Sequence, residues 1–148
     1  MRKNYFTAFL LALSFLGLLT GCGGSKTPPL SERIAKVWTA RVVNYGTNTV
    51  YTRGATSNVQ NYANYKLDLS KPPTVEYTEL DNNKFVGQYS VQGDTRLILT
   101  NLNPSPTGDN GTIEFKIDGI SDNELKITRT TASVKTGNTI NSYTLSNP

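Results

Sequence analysis

The side chains able to do chemistry are few. The chain of 148 residues has no histidine, a single cysteine (Cys22), and 11 acidic residues against 15 basic ones. Without histidine there is no imidazole base for a serine or cysteine nucleophile and no His-based zinc set; a lone cysteine forms no internal disulfide. Carboxylate chemistry is what remains. Cleaving a glycosidic bond needs two carboxyl groups about 5–9.5 Å apart across a cleft. Glu76, Glu79 and Asp81 form one loose group, and Glu114, Asp118 and Glu124 another. Glu76 and Glu79 differ by three on an alternating segment, so they fall on opposite faces of a strand. Glu114 alternates with Ile113 and Phe115 and should face solvent. Both groups read as surface charge. No phosphate-binding glycine loop, paired cysteines, calcium loop or Gly-x-Ser-x-Gly elbow is present. The expectation is a protein that is not an enzyme, with no catalytic residue, no cofactor and no metal.

Binding chemistry is better supplied. Tyr45, Tyr51, Tyr62 and Tyr65 flank a polar stretch over 54–61, and Tyr77, Tyr89 and Tyr143 follow later. A tyrosine offers an apolar ring and a donating hydroxyl, which suits a pocket mouth or a sugar ring. It is equally a good strand residue on a half-buried sheet, and that plainer reading stays open. Arg2 and Lys3 belong to the extreme amino terminus, so the rest of the chain is close to neutral. With no concentrated basic face, nucleic acid is not an expected partner.

The elements that must position these residues alternate with period two. Val37–Tyr45 carries Trp38, Ala40 and Val42 on one face. Thr49–Arg53 follows, then Tyr62–Ser70 with Tyr65, Leu67 and Leu69 on one face. After Pro72-Pro73, Thr74–Glu79 carries Val75 and Tyr77, and Asp81-Asn82-Asn83 turns into Lys84–Val91 with Phe85, Gly87, Tyr89 and Val91. Thr95–Asn101 carries Leu97 and Leu99, and Asn103–Gly111 is a loop. Thr112–Asp118 carries Ile113, Phe115 and Ile117, Glu124–Val134 carries Leu125 and Ile127, and Thr139–Ser146 closes the series. Ser31–Lys36 precedes them as a helical turn with Ser31 as its cap. About eight or nine strands joined by short turns predict an all-β antiparallel up-and-down meander. Such a sheet with one apolar face closes into a barrel or folds into a sandwich.

The amino terminus has its own pattern. Met1-Arg2-Lys3-Asn4 leads an apolar run from Tyr5 to Leu19, shorter than the roughly 20 residues a spanning helix needs. The run ends in Leu19-Thr20-Gly21-Cys22, which resembles the lipobox of bacterial lipoproteins. The resemblance implies a signal peptide over 1–21, removed before Cys22, and a cysteine acylated on its sulfur and its new amino group. Two or more acyl chains give a stable membrane anchor where one gives a reversible one. Residues 22–30 are then the lipidated cysteine and a flexible tether; the eight residues from Gly23 reach at most about 26 Å. By the sorting rules of that family, Gly23 after the cysteine implies the outer membrane, facing the periplasm, with the lipid bilayer as partner.

Residues 31–148 resemble the lipocalin-like domain of many small bacterial lipoproteins. The match is carried by the helical turn, Trp38 early in the first strand, Tyr65-Lys66-Leu67-Asp68-Leu69, Gly87-Gln88-Tyr89-Ser90-Val91 before Leu97-Ile98-Leu99, and Ile120-Ser121-Asp122-Asn123-Glu124-Leu125-Lys126-Ile127. Where lipocalins have Gly-x-Trp, this chain has Lys36-Val37-Trp38. The resemblance implies an up-and-down barrel with a central cavity for a small apolar or amphipathic ligand. It also implies an arginine stacked across the first-strand tryptophan, and Arg129, in phase with Leu125 and Ile127, is the candidate. The expected ligand-lining residues are Trp38, Val42, Tyr65, Leu67, Tyr77, Phe85, Tyr89, Leu99, Phe115 and Arg129. Two other functions stay open: a filled barrel that docks an envelope protein partner, and a β-sandwich carbohydrate-binding module using the tyrosines.

Overall fold

The structure, a computed structural model, describes residues 27–148. The expected signal peptide, Cys22 and the tether as far as Lys26 lie outside the described residues.

The alternating segments form nine strands: β1 (Val37–Tyr45), β2 (Asn48–Thr52), β3 (Lys66–Lys71), β4 (Thr74–Thr78), β5 (Lys84–Gln92), β6 (Arg96–Asn103), β7 (Ile113–Ile120), β8 (Glu124–Arg129) and β9 (Asn141–Ser146). Every neighbouring pair is antiparallel, and β9 returns to pair with β1. The ring is therefore a closed barrel of eight strands, β1 and β3 to β9. β2 is the ninth, sharing one edge of β1 with β3: β3 pairs with Val37–Thr39 and β2 with Val42–Tyr45. Closure leaves no exposed ladder at β9, which is how a meander of this length avoids edge-to-edge association. A single closed ring overturns the sandwich alternative.

Alternation decides which side chains point in. Trp38, Ala40, Leu67, Leu69, Tyr77, Leu97, Leu99, Phe115, Leu125, Ile127 and Leu145 are all buried in one core. Val42 is a correction. Between Ala40 and Val42 the pairing of β1 with β9 slips by one residue, leaving Arg41 without an opposite number. A bulge of this kind reverses the phase downstream, so Val43 is buried and Val42 is only partly covered.

One end of the barrel is shut by the amino-terminal turn, α1 (Leu30–Arg33). Its cap residue is Pro29 rather than the expected Ser31, which lies within the turn; Glu32 N–H donates to Pro29 O at 3.0 Å. Trp38 Nε1 donates to Ile34 O at 2.9 Å, and Arg33 Nη2 to Ile120 O at 2.9 Å. Lys36 Nζ reaches Asp122 O at 2.6 Å and lies 6.0 Å from the Trp38 ring centre. These contacts fasten the turn to β1 and to the β7–β8 hairpin. The opposite end, where β1 ends and β9 begins, is the mouth.

Candidate mouth recess

The antiparallel register sets what meets at the mouth. β4 ends at Thr78, so Glu79, Leu80 and Asp81 form the rim. β8 ends at Arg129, earlier than the expected Val134, and 130–140 crosses to β9 through a 3-10 turn at Val134–Thr136. Tyr62 and Tyr65, expected on a strand, instead sit in a turn before β3, closed by Tyr65 N–H to Tyr62 O at 3.1 Å.

Aromatic rings fill the space that would otherwise be a calyx. Tyr65 stacks on Tyr143 at 5.0 Å with planes 16° apart, and meets Tyr77 edge-on at 5.6 Å. Tyr62 lies 5.8 Å from Tyr65 and 6.2 Å from Tyr143, and shares a 2.8 Å hydrogen bond between its hydroxyl and that of Tyr45. Phe115 packs edge-on against Tyr143 at 6.1 Å. The recess left between Tyr62, Tyr65, Tyr77, Tyr143 and the rim has a volume of about 10 Å³, room for one water molecule. A larger depression of about 320 Å³ lies on the outside of the wall, between Asn64, Lys66, Thr78, Asn82 and Lys84.

The recess is polar at its top. Arg129, buried as its phase predicts, forms an ion pair with Asp109 of the 104–112 loop and donates from Nε to Thr131 O at 3.3 Å. Glu79, also buried, pairs with Lys135, whose ammonium lies 2.8 Å from Asp81 and 5.3 Å from the Phe85 ring centre. Buried charges of this kind persist only when paired. Asn141 Nδ2 donates to Thr136 Oγ1 at 3.0 Å and to the Tyr143 hydroxyl at 3.3 Å. The Tyr65 hydroxyl is the exception: it is buried and, although the Tyr77 hydroxyl lies near it, it meets no partner within hydrogen-bond geometry among the described residues.

Burial sets the local acidities. It raises the pKa of Glu79, against the pull of Lys135. Burial also acts to raise Asp81, but the Lys135 ammonium and the Asn83 N–H outweigh it and hold that carboxyl below the usual range. The Tyr143 hydroxyl is pushed up to about 12 by burial, and that of Tyr65 well above its ordinary value for the same reason. Tyr65 and Tyr143 are therefore neutral phenols at physiological pH.

Of the residues expected from sequence to line a site, Tyr65, Tyr77 and Arg129 meet in this recess. Phe85 lies beneath Lys135. Trp38, Leu67, Leu99 and Phe115 are core. The Tyr89 hydroxyl turns to Leu69 O at 2.9 Å. Arg129 does not cover Trp38. β8 begins opposite the end of β9, with Glu124 paired to Ser146 and Ser146 to Thr39. The end of β8 is thus at the mouth while Trp38 is at the base, and the cation beside Trp38 is Lys36. Glu79 is a second correction: expected on the surface, it is buried, and its phase with Val75 and Tyr77 was the available signal. Asp109, Lys135 and Asn141 were missed, since all three reach the mouth from loops or a strand end. Among the described residues no three His, Cys, Asp or Glu side chains gather into a set able to hold a metal.

The sequence matches no family model and no curated protein. Its fold matches the solved structure of a lipocalin-like protein from Bacteroides uniformis, with a TM-score of 0.50 and 15% identity, covering 78% of this chain and 99% of that one. An uncharacterized protein from Bacteroides eggerthii aligns over 76% of this chain and 98% of that one, at 13% identity and a TM-score of 0.47. The first likeness and the eight-stranded ring make the fold a lipocalin-like barrel.

Proposed function

We propose that this protein is a non-catalytic binding protein of the bacterial envelope. It is tethered through acylated Cys22 to the outer membrane, facing the periplasm, and takes the polar end of a small amphipathic molecule at the mouth recess. The observation that carries the reading is the Tyr65 hydroxyl. A buried polar group with no partner costs about 1–3 kcal/mol, and here it lines a recess that Arg129, Glu79 and Asn141 also line. Native mass spectrometry of the full chain, extracted from its own host in detergent, tests it. A retained small molecule, released from Tyr65→Trp, is the expected result. A bare polypeptide mass in every preparation would remove the ligand from the account. The mass of the amino-terminal peptide tests the anchor separately: Cys22 carrying acyl chains supports it, and an unmodified thiol overturns it.

One geometric feature favours a second reading. The recess of about 10 Å³ is far below the roughly 300 Å³ of an ordinary small-molecule site. A barrel filled with side chains is also a rigid platform for docking an envelope protein through its mouth loops. Cross-linking in intact cells from the 104–112 and 130–140 loops, with one repeatable protein product and no bound small molecule, favours docking.

A further inference from the structure

We propose that residues 131–140 form a lid across the barrel mouth, latched by the single side chain of Lys135, and that a guest enters only when this latch releases. The inference rests on the recess being the binding site, and concerns how that site is opened.

Ring order places the latch. Around the eight strands, β4 and β8 are four apart, as are β5 and β9. The β4–β5 turn and the β8–β9 connection are therefore diametrically opposite, and Lys135, paired with Glu79 and Asp81, spans the mouth from one to the other. The segment that carries Lys135 is otherwise bonded mostly to itself. Ser133 N–H donates to Thr139 O at 2.9 Å, Asn138 N–H to Ser133 O at 2.9 Å, and Thr136 N–H to Ser133 O at 3.2 Å. The turn is made by Gly137 and Asn138, at φ +74° and +59°. Its outward attachments are few: Gly46 N–H donates to Ile140 O at 2.9 Å beside β9, Thr136 and Thr139 bond the Asn141 side chain, and Val134 lies close to Gly108. A unit that otherwise satisfies its own backbone has its position set by such attachments. Across the mouth the attachment is Lys135. Beneath it lies the unpartnered Tyr65 hydroxyl, which a guest reaches once the span is lifted.

Native-state amide hydrogen exchange on the ligand-free full chain in detergent tests this, and needs no knowledge of the guest. In the wild type, the amides of Ser133, Thr136 and Asn138 should exchange at least 100-fold faster than those of β8 and β9, by a route insensitive to low denaturant. If they exchange only with those strands, by global unfolding, the segment is an integral part of the barrel and the proposal falls. Lys135→Met should accelerate exchange over 131–140 tenfold or more while leaving β1 and β8 unchanged. Unaltered exchange in that variant overturns the latch. Asp81→Asn, which removes only the exposed arm, should give a smaller local acceleration, and none at all would count against the latch. A bare mass in the native spectra alongside a lid that opens locally would show that the ligand reading fails while the lid stands.

Discussion

Tyr65 and Tyr143 lie face to face inside the barrel, ring centres 5.0 Å apart, yet their hydroxyls have opposite fates. The Tyr143 oxygen receives the Asn141 amide at 3.3 Å, whereas the Tyr65 oxygen is buried without a partner. Removing each hydroxyl should separate the two. Tyr143→Phe should cost about 0.5–1.5 kcal/mol, the net worth of an ordinary hydrogen bond. Tyr65→Phe should be neutral, or stabilising by about 1 kcal/mol, because it deletes an unsatisfied group and keeps the stack. Urea unfolding of both variants checks this, and equal losses would mean that Tyr65 has a partner after all.

Arg129 and Asp109 form the most deeply buried ion pair, with side chains 1% and 8% exposed. Breaking such a pair from one side leaves a bare charge in the interior and costs about 3–5 kcal/mol. Arg129→Met should lose stability on that scale, and much of it should return in Arg129→Met with Asp109→Leu. Trp38 fluorescence of the folded variant should match wild type, since the two residues occupy opposite ends of the barrel. A shifted emission maximum in folded Arg129→Met would contradict that separation.

The strands were legible because each buries one face, and one-sided burial forces alternation; β1 runs over the same residues, Val37–Tyr45, that the pattern marks. Alternation carries no memory of an inserted residue, so the bulge at Arg41 made Val42 look internal when Val43 is. For the same reason β8 looked longer than it is: Thr130 to Val134 has strand-forming residues, but the chain must cross the mouth there. At the recess, the inward orientation of Tyr65, Tyr77 and Arg129 was legible from phase. Glu79 had the same phase and was read as surface because carboxylates usually are. What makes it interior is Lys135, 56 residues on in a loop, and no local pattern announces that pairing.

Gly87 and Gly119 each stand at an irregular point in the pairing of their strands, with unlike surroundings. A Cβ on Gly87 would lie 2.4 Å from Thr100 O and 3.0 Å from Leu102 N, both backbone atoms of β6. Gly87→Ala must push β6 aside and should destabilise by about 1–3 kcal/mol or more. Around Gly119 there is nothing within 4 Å, so Gly119→Ala should be neutral or gain up to about 1 kcal/mol from the lost backbone freedom of glycine. Thermal melts of the pair are sufficient. A Gly87→Ala melt at the wild-type temperature would show that β5 and β6 are not in this close contact.

Acidity gives a prediction with two opposed signs. Asp68, Asp81 and Asp118 have pKa values held below the usual 3.8: against the raising effect of burial, Ser70 does this for Asp68, Lys135 for Asp81, and Lys116 with Thr128 for Asp118. Their contribution is present above pH 3.8 and is lost as pH falls through their lower folded values. Glu79 runs the other way. Its neighbours are Lys135, Asp81, Arg129 and the ring hydroxyls of Tyr65, Tyr77 and Tyr143, and burial wins over the cations, lifting its pKa above 4.5. The folded state then binds the Glu79 proton more tightly than the unfolded chain, so stability falls as pH rises from 4.5 through the higher folded value. Urea unfolding of wild type and Glu79→Gln between pH 3 and 8 separates the two. Below 3.8 both should lose stability together on acidification, because the aspartates are common to both. Above 4.5 wild type should decline relative to Glu79→Gln as pH rises, since only wild type must ionise a buried carboxyl. Two curves that stay parallel above 4.5 would mean that Lys135 fully compensates the desolvation of Glu79, and that the mouth ion pair is electrostatically neutral to folding.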